Sequence, residues 1–368
     1  MWSSAGSTGR ARGWVLAIAL ALTALPAVVG SACGGGDGEE LAPAGTATAT
    51  QQAASPAATP GGTPLATPHA AEWPIALALN PDTGLVYVAS QYTDKISVID
   101  ERSNAIVATA PTGARPQDVA INAVTNRIFV INLHDDTLTV IDGNTNSVVA
   151  TTRPGHGPLD VAVDPETNRV YITRWATQDL QVVDGDTIEE VAIIEVGVRP
   201  LDVLINPSTG RIYVANGPGE DLAVVDADTG KVVASVTVGA GQQHLALNPQ
   251  TNRLYVAMPQ SDAVVVIDAE TNSVTNTIDV GRRPMAMAVD PERNRLYVAN
   301  MDDDTVSVID GASNTVTATV PVGDGPSSVA VDPNTNRIYV AVADDDAVAV
   351  LDGETNSVVV TVSLVSGT

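Results

Sequence analysis

One spacing governs this chain. From Pro74, steps of 42 residues reach Pro116, Pro158, Pro200, Gln242, Pro284 and Pro326. Seven such units fill residues 74–367 with no insertion or deletion. A unit of this length holds four short strands and cannot bury its own apolar face, so units must stack on one another. The expected fold is therefore all-β: a seven-bladed β-propeller of four-stranded antiparallel blades.

The residues inside a unit support four strands. In the sixth unit they read MAMAVD, RLYVAN, TVSVID and TVTATVPV. Val, Ile, Thr and Tyr suit a pleated, packed surface. The first turn opens on Asn or Asp, as at Asn80, Asp164 and Asp290, followed by Pro or once by Ala123. Such residues close Asx-turns. Four positions on stand Gly84, Asn126, Asn168, Gly210, Asn252, Asn294 and Asn336, the types that best tolerate a left-handed backbone.

Three series recur in register. An aromatic ring occupies one position of the second strand: Tyr87, Phe129, Tyr171, Tyr213, Tyr255, Tyr297 and Tyr339. These read as core between blades. The third strand ends in Asp100, Asp142, Asp184, Asp226, Asp268, Asp310 and Asp352. Arg127, Arg169, Arg211, Arg253, Arg295 and Arg337 precede the second strand. Hairpin pairing sets each Arg opposite an Asp, so a repeated cross-strand ion pair is expected rather than a catalytic array.

The stretches Tyr213 to Asn216 and Tyr297 to Asn300, with the NP.TNR turn before and VID after, resemble the YVTN-family β-propeller repeat. The likeness covers all seven units. Phe129 departs from its Tyr, and Arg174 and Met258 depart from its final Asn. The resemblance implies a propeller. It implies little about activity, because such proteins include surface-exposed repeat proteins, and related propellers include lactonases, lyases and redox-enzyme domains. The Gly-His and Trp-Asp marks of the rival WD40 repeat are absent.

Ahead of the repeats the composition changes. Arg10 and Arg12 precede an apolar run from Trp14 to Val29, shorter than a comfortable membrane span. Small residues then lead to Cys33, the only Cys of the chain. This resembles a bacterial lipoprotein box, with Gly30 where an aliphatic is preferred. The resemblance implies a signal peptide over 1–32 and a lipid on Cys33; the alternative is ordinary cleavage after Ala32. Residues 33–73 are dominated by Gly, Ala, Thr and Pro, which cannot bury a core, and read as a flexible tether to a propeller over 74–368. An exported, lipid-anchored protein on the outer face of a membrane is expected.

The formal charge is −25, and only Asp37, Glu39, Glu40 and Glu72 among the acids precede the repeats. So acidic a propeller repels nucleic acid and anionic lipid. No P-loop, Rossmann fingerprint, HExxH or Cys-based metal motif is present.

The turns on one edge of the blades hardly vary, whereas the loops of the opposite edge differ from unit to unit. On a rigid scaffold the variable edge is the one that carries function. His134, His156 and His244 fall there, with Lys95, Arg115, Arg153, Arg174, Arg199, Arg282, Arg283, Tyr92, Trp175, Met258 and Met301. The third residue of each unit opens the innermost strand at the channel mouth. It reads Ala76, Asp118, Asp160, Asp202, His244, Ala286 and Ser328. Three Asp and a His in adjacent blades could line a ligand site or hold a cation such as Ca²⁺. As structure, each Asp would accept N–H bonds from the interblade turn. The acid runs 302–304 and 344–346 read as solvated hairpin tips.

Two functions follow. The first is a binding or interaction scaffold, monomeric and without a cofactor, whose loop face takes an envelope protein or a small molecule. The second is a lactonase-like hydrolase or lyase at the channel mouth, using His244 with Asp202 and Arg199, or His156 with Asp160 and Arg199. A haem or copper redox role is disfavoured by three scattered histidines.

Overall fold

The computed structural model describes residues 71–217, 221–239, 241 and 244–365. The signal segment, Cys33 and the tether to residue 70 lie outside the described residues. The repeats form 28 strands in seven four-stranded antiparallel sheets, each made from one contiguous unit. Blade one comprises β1 (Pro74–Asn80), β2 (Leu85–Ser90), β3 (Lys95–Asp100) and β4 (Ala105–Pro111). The other six blades follow the same plan. First strands of neighbouring blades lie side by side around the whole ring, β1 against β25 (Pro326–Asp332) included. They therefore line the central channel.

Burial explains the strand sequences. β2 and β3 are covered on both faces by adjacent blades and are almost continuously buried. β4 is a sheet edge, buried only towards its end. The aromatic series is fully enclosed between blades, with Tyr87, Phe129, Tyr213, Tyr297 and Tyr339 at 0% exposure. One apolar cluster joins blade seven to blade one through Tyr339, Ala341, Val348, Leu77, Val86 and Ile99. The left-handed turn positions are as the sequence predicts, with φ of 67° at Gly84, 49° at Asn126 and 57° at Asn336. Asn80 and Asn122 close Asx-turns onto Asp82 N–H (3.1 Å) and Val124 N–H (3.0 Å).

The Arg and Asp series correct the expected ion-pair ladder. The register does place Arg127 opposite Asp142 and Arg253 opposite Asp268. Among the described residues of this series, however, the facing pair closes only at Arg211–Asp226 (2.5 Å). The Asp oxygens are taken by their own turn. Asp142 Oδ1 accepts N–H bonds from Asn144 (2.9 Å) and Thr145 (3.0 Å), which hold its carboxyl below the usual range. The Arg side chains instead cross to the next blade. Arg127 Nη1 donates to Gly185 O at 2.6 Å, Arg295 Nη1 to Gly353 O at 2.5 Å, and Arg253 Nη1 to Gly311 O. A guanidinium is long enough to reach a carbonyl in the neighbouring blade, which has no strand partner, and that is the better use of it.

A second interblade tie carried no label in the sequence. The position of Trp73 in the repeat has φ > 0 in every blade, from Trp73 (50°) and Arg115 (55°) to Gly241 (87°), Arg283 (54°) and Gly325 (69°). In five of the blades its N–H is held by an Asp on the preceding blade. Asp94 takes Arg115 N–H (2.8 Å), Asp136 takes Gly157 N–H (2.9 Å), Asp262 takes Arg283 N–H (2.9 Å) and Asp304 takes Gly325 N–H (3.0 Å). Asp346 closes the ring by the same rule, accepting both Glu72 and Trp73 N–H at 2.8 Å. Glu72 and Trp73 add no strand. Closure rests on side-by-side packing, on this clasp, and on Ser327 Oγ donating to Pro74 O at 2.8 Å.

Candidate functional site

The third-position residues converge at the channel mouth, as the repeat phase requires. Their bonding differs from the expectation. Asp118 Oδ2 accepts Val161 N–H (3.1 Å), Asp160 Oδ2 accepts Val203 N–H (2.7 Å) and Asp202 Oδ2 accepts Leu245 N–H (3.3 Å). Each donor lies in the first strand of the next blade, not in the interblade turn. Ser328 Oγ accepts Leu77 N–H (3.2 Å) in the same way.

What separates these residues from a structural device is their charge. The carboxyls of Asp118 and Asp160 lie close enough to act on one another. Burial first, and then the charges of Asp202 and Asp118, push the Asp160 carboxyl well above its ordinary value. Burial pushes Asp202 up to about 6, while His244 pulls it down and Asp118 pushes it up. His244 Nε2 stands 3.7 Å from Asp202 Oδ2, a contact longer than a hydrogen bond. The opposite wall of the mouth carries Ala76 and Ala286, so the acids face small side chains across the channel. Among the described residues, no three His, Cys, Asp or Glu side chains are placed to hold a metal ion.

A pH dependence follows. Folded Asp202 keeps its proton to about pH 6, whereas an ordinary Asp releases it near 3.8. The folded state binds more protons between those values, so stability falls as pH rises from about 4 through 6 and stays lower above. Asp202→Asn keeps an acceptor for Leu245 N–H and removes the charge. It is expected to be more stable than wild type by about 1–3 kcal/mol at pH 8 and equal to it near pH 4. Urea unfolding at the two pH values measures this; an equal or lower stability at pH 8 would refute it.

The bases of the variable loop face are largely matched by acids of that face. Lys95 pairs with buried Glu72 (2.8 Å), Arg282 with Asp303 (2.5 Å) and Arg283 with Asp302 (3.3 Å). Arg115 Nη2 reaches Gln91 Oε1 at 3.4 Å. His156 Nδ1 lies 2.8 Å from Asp136 Oδ2, so its carboxylate neighbour is Asp136 rather than Asp160. His134 is exposed, Arg199 is half-buried, and Trp175 lies over Gly157. Arg174 is buried: it donates from Nε to Asp179 Oδ1 and from Nη1 to Pro154 O, both at 2.6 Å. Met258 and Met301 are buried too, while Tyr92 remains half-exposed against Trp73, with ring centroids 5.6 Å apart. The structure thus brings together Asp118, Asp160, Asp202 and His244, and distributes the remaining candidates around the rim.

This geometry defines the class: a seven-bladed β-propeller with an asymmetric acidic channel mouth. The solved structures include a similar ring, a chain of Kuenenia stuttgartiensis hydrazine synthase. It has a TM-score of 0.70 and 18% sequence identity, over 79% of this chain and 98% of that one. The similarity is one of fold. No protein-family model and no curated protein sequence matches the chain.

Proposed function

We propose that this protein is an exported, lipid-tethered propeller of the YVTN-repeat type that binds a partner through its loop face and the channel mouth of blades two to five. One observation carries the reading. Ala76 and Ala286 occupy the same position as Asp118, Asp160 and Asp202. The ring therefore closes without a side-chain acceptor there, yet Asp160 and Asp202, on adjacent blades, carry their charge at a cost in stability. Stability spent on strained electrostatics is a mark of sites rather than scaffolds. The occupant that fits is a cationic or donor-rich group, from a small molecule or an envelope protein.

The test is capture from cell envelopes with wild-type protein and with Asp118→Asn/Asp160→Asn/Asp202→Asn. Recovery of a ligand or partner by wild type alone supports the reading; equal recovery by both sinks it. The tether has a separate test. Cys33→Ala is expected to move the protein from the membrane to the soluble fraction, and the mature N-terminus of wild type to carry a diacylglyceryl mass. An unmodified Cys33 removes the anchor.

The nearness of His244 to Asp202 favours one second reading, a lactonase-like hydrolase or lyase with His244 as base. Unchanged lactone turnover in His244→Ala would eliminate it.

A further inference from the structure

Residue 101 is Glu in blade one, but the equivalent residue is Gly143, Gly185, Ala227, Ala269, Gly311 or Gly353 in the other six. The small residue has a steric reason. A Cβ on Gly143, Gly185, Gly311 or Gly353 would lie between 2.2 and 2.6 Å from the carboxamide oxygen of Asn126, Asn168, Asn294 or Asn336. Those carboxamides belong to a ladder between blades. Asn80 Nδ2 donates to Asn126 Oδ1 (2.8 Å), Asn122 to Asn168 (2.7 Å), Asn206 to Asn252 (3.2 Å) and Asn248 to Asn294 (2.8 Å).

At the seam between blades seven and one both partners change. Gly84 stands where the acceptor Asn would be, and Glu101 fills the space: a Cβ on Gly84 would lie 2.9 Å from Glu101 Cγ. From blade seven the donor position offers Asp332, 1% exposed. A carboxamide pair has become a carboxyl pair, and two carboxyls hydrogen-bond only while one holds a proton. Asp332 is committed as an acceptor, from Asn334 N–H (2.9 Å) and Thr335 Oγ1 (2.6 Å), so the proton belongs on Glu101. Asp164 also faces a Gly, Gly210, but Ala227 follows there and no second carboxyl arises.

We propose that Glu101 and Asp332 form a proton-dependent latch across the seam of the ring, holding it while Glu101 is protonated and weakening it when that proton leaves.

The surroundings agree. Burial, and then the hydrogen bond and charge of Asp332, push Glu101 up to about 7, with Arg337 and Arg102 pulling the other way. Tyr339 from blade seven also faces it; burial and the Glu101 charge push the Tyr339 phenol up. Closed, Glu101 holds its proton to about pH 7; in an opened seam it releases it near 4.5. The closed form binds more protons in that window, so opening becomes easier as pH rises through it.

Amide hydrogen exchange on the full-length protein between pH 5 and 8.5, corrected for intrinsic rates, reads this locally. β1 and β25 peptides report the seam; β5 (Pro116–Asn122) and β9 (Pro158–Asp164) report an ordinary interface. Relative seam protection is expected to fall on the order of a hundredfold between pH 5 and 8. Glu101→Gln, which donates at any pH, is expected to flatten the profile. So is Gly84→Asn/Glu101→Gly, which restores the repeat and decides the matter should Glu101→Gln not fold. Seam and control peptides tracking together in wild type would overturn the proposal. So would a folded variant that keeps the wild-type pH dependence.

Discussion

Asp179→Ala is expected to destabilise the propeller by about 3–5 kcal/mol, because it leaves the Arg174 guanidinium buried without its counter-charge. Arg174 is 7% exposed and Asp179 9% exposed. The pair is held on both sides, since Thr177 Oγ1 also donates to Asp179 Oδ1 (3.1 Å) and Arg174 Nη1 reaches Pro154 O. Water cannot take over these contacts without opening the blade two–blade three interface. The double variant Arg174→Met/Asp179→Leu is expected to recover most of the loss, since apolar side chains of similar volume dispense with the desolvation cost. Equilibrium urea unfolding of the two variants gives the comparison. An Asp179→Ala loss below about 1 kcal/mol would mean the pair behaves as an exposed one.

Arg174 also repeats what Asn216 does at the same position of blade four, whereas Asn132 and Asn300 donate within their own blades. Asn216 Nδ2 donates to Val196 O (3.1 Å), twenty residues back in the preceding blade, and Arg174 Nη1 donates to the corresponding Pro154 O. The substitution keeps the interblade bond and adds a charge, which Asp179 then neutralises.

Tyr213→Ala is expected to cost a further class of energy, about 3–5 kcal/mol from lost burial and the cavity left behind. Tyr213 is 0% exposed and packs with Leu222, Val224, Leu245 and Leu254 across the blade four–blade five interface. Tyr213→Phe is expected to lose under about 1 kcal/mol. Its hydroxyl makes only a long bond to Ala269 O (3.4 Å), and Phe129 fills the same place in blade two. A Phe variant as unstable as the Ala variant would show that the hydroxyl, not the ring, holds the interface. Chemical unfolding midpoints with unchanged m-values make the distinction.

The two kinds of residue were not equally readable. The Tyr series, the turn residues and the strand boundaries follow from local rules that repeat seven times, and the structure places them as the sequence predicts. The Asp118, Asp160 and Asp202 series was readable as a cluster, because a fixed repeat brings equivalent residues to one end of the ring. Its bonding partners were not readable. Likewise the Arg series has an Asp directly across the hairpin, yet Arg127 and Arg295 reach past it to Gly185 and Gly353. The clasp of Asp94, Asp136, Asp262, Asp304 and Asp346 recurs in five units but looks, residue by residue, like ordinary loop polarity.

By itself the sequence determined the number of blades, the four strands in each, their core faces and the acidic wall of the channel. All of these depend on contacts within one unit or on the repeat phase, and a period of 42 residues encodes both. The tertiary structure alone decided which polar groups meet between blades, that the ring closes by apposition without a shared strand, and that Glu101 meets Asp332. Those partners lie in different units, 20 to 58 positions apart along the chain or in its first and last units. Which donor reaches which acceptor is settled by the width and tilt of the interface between blades, and no spacing within a unit records that.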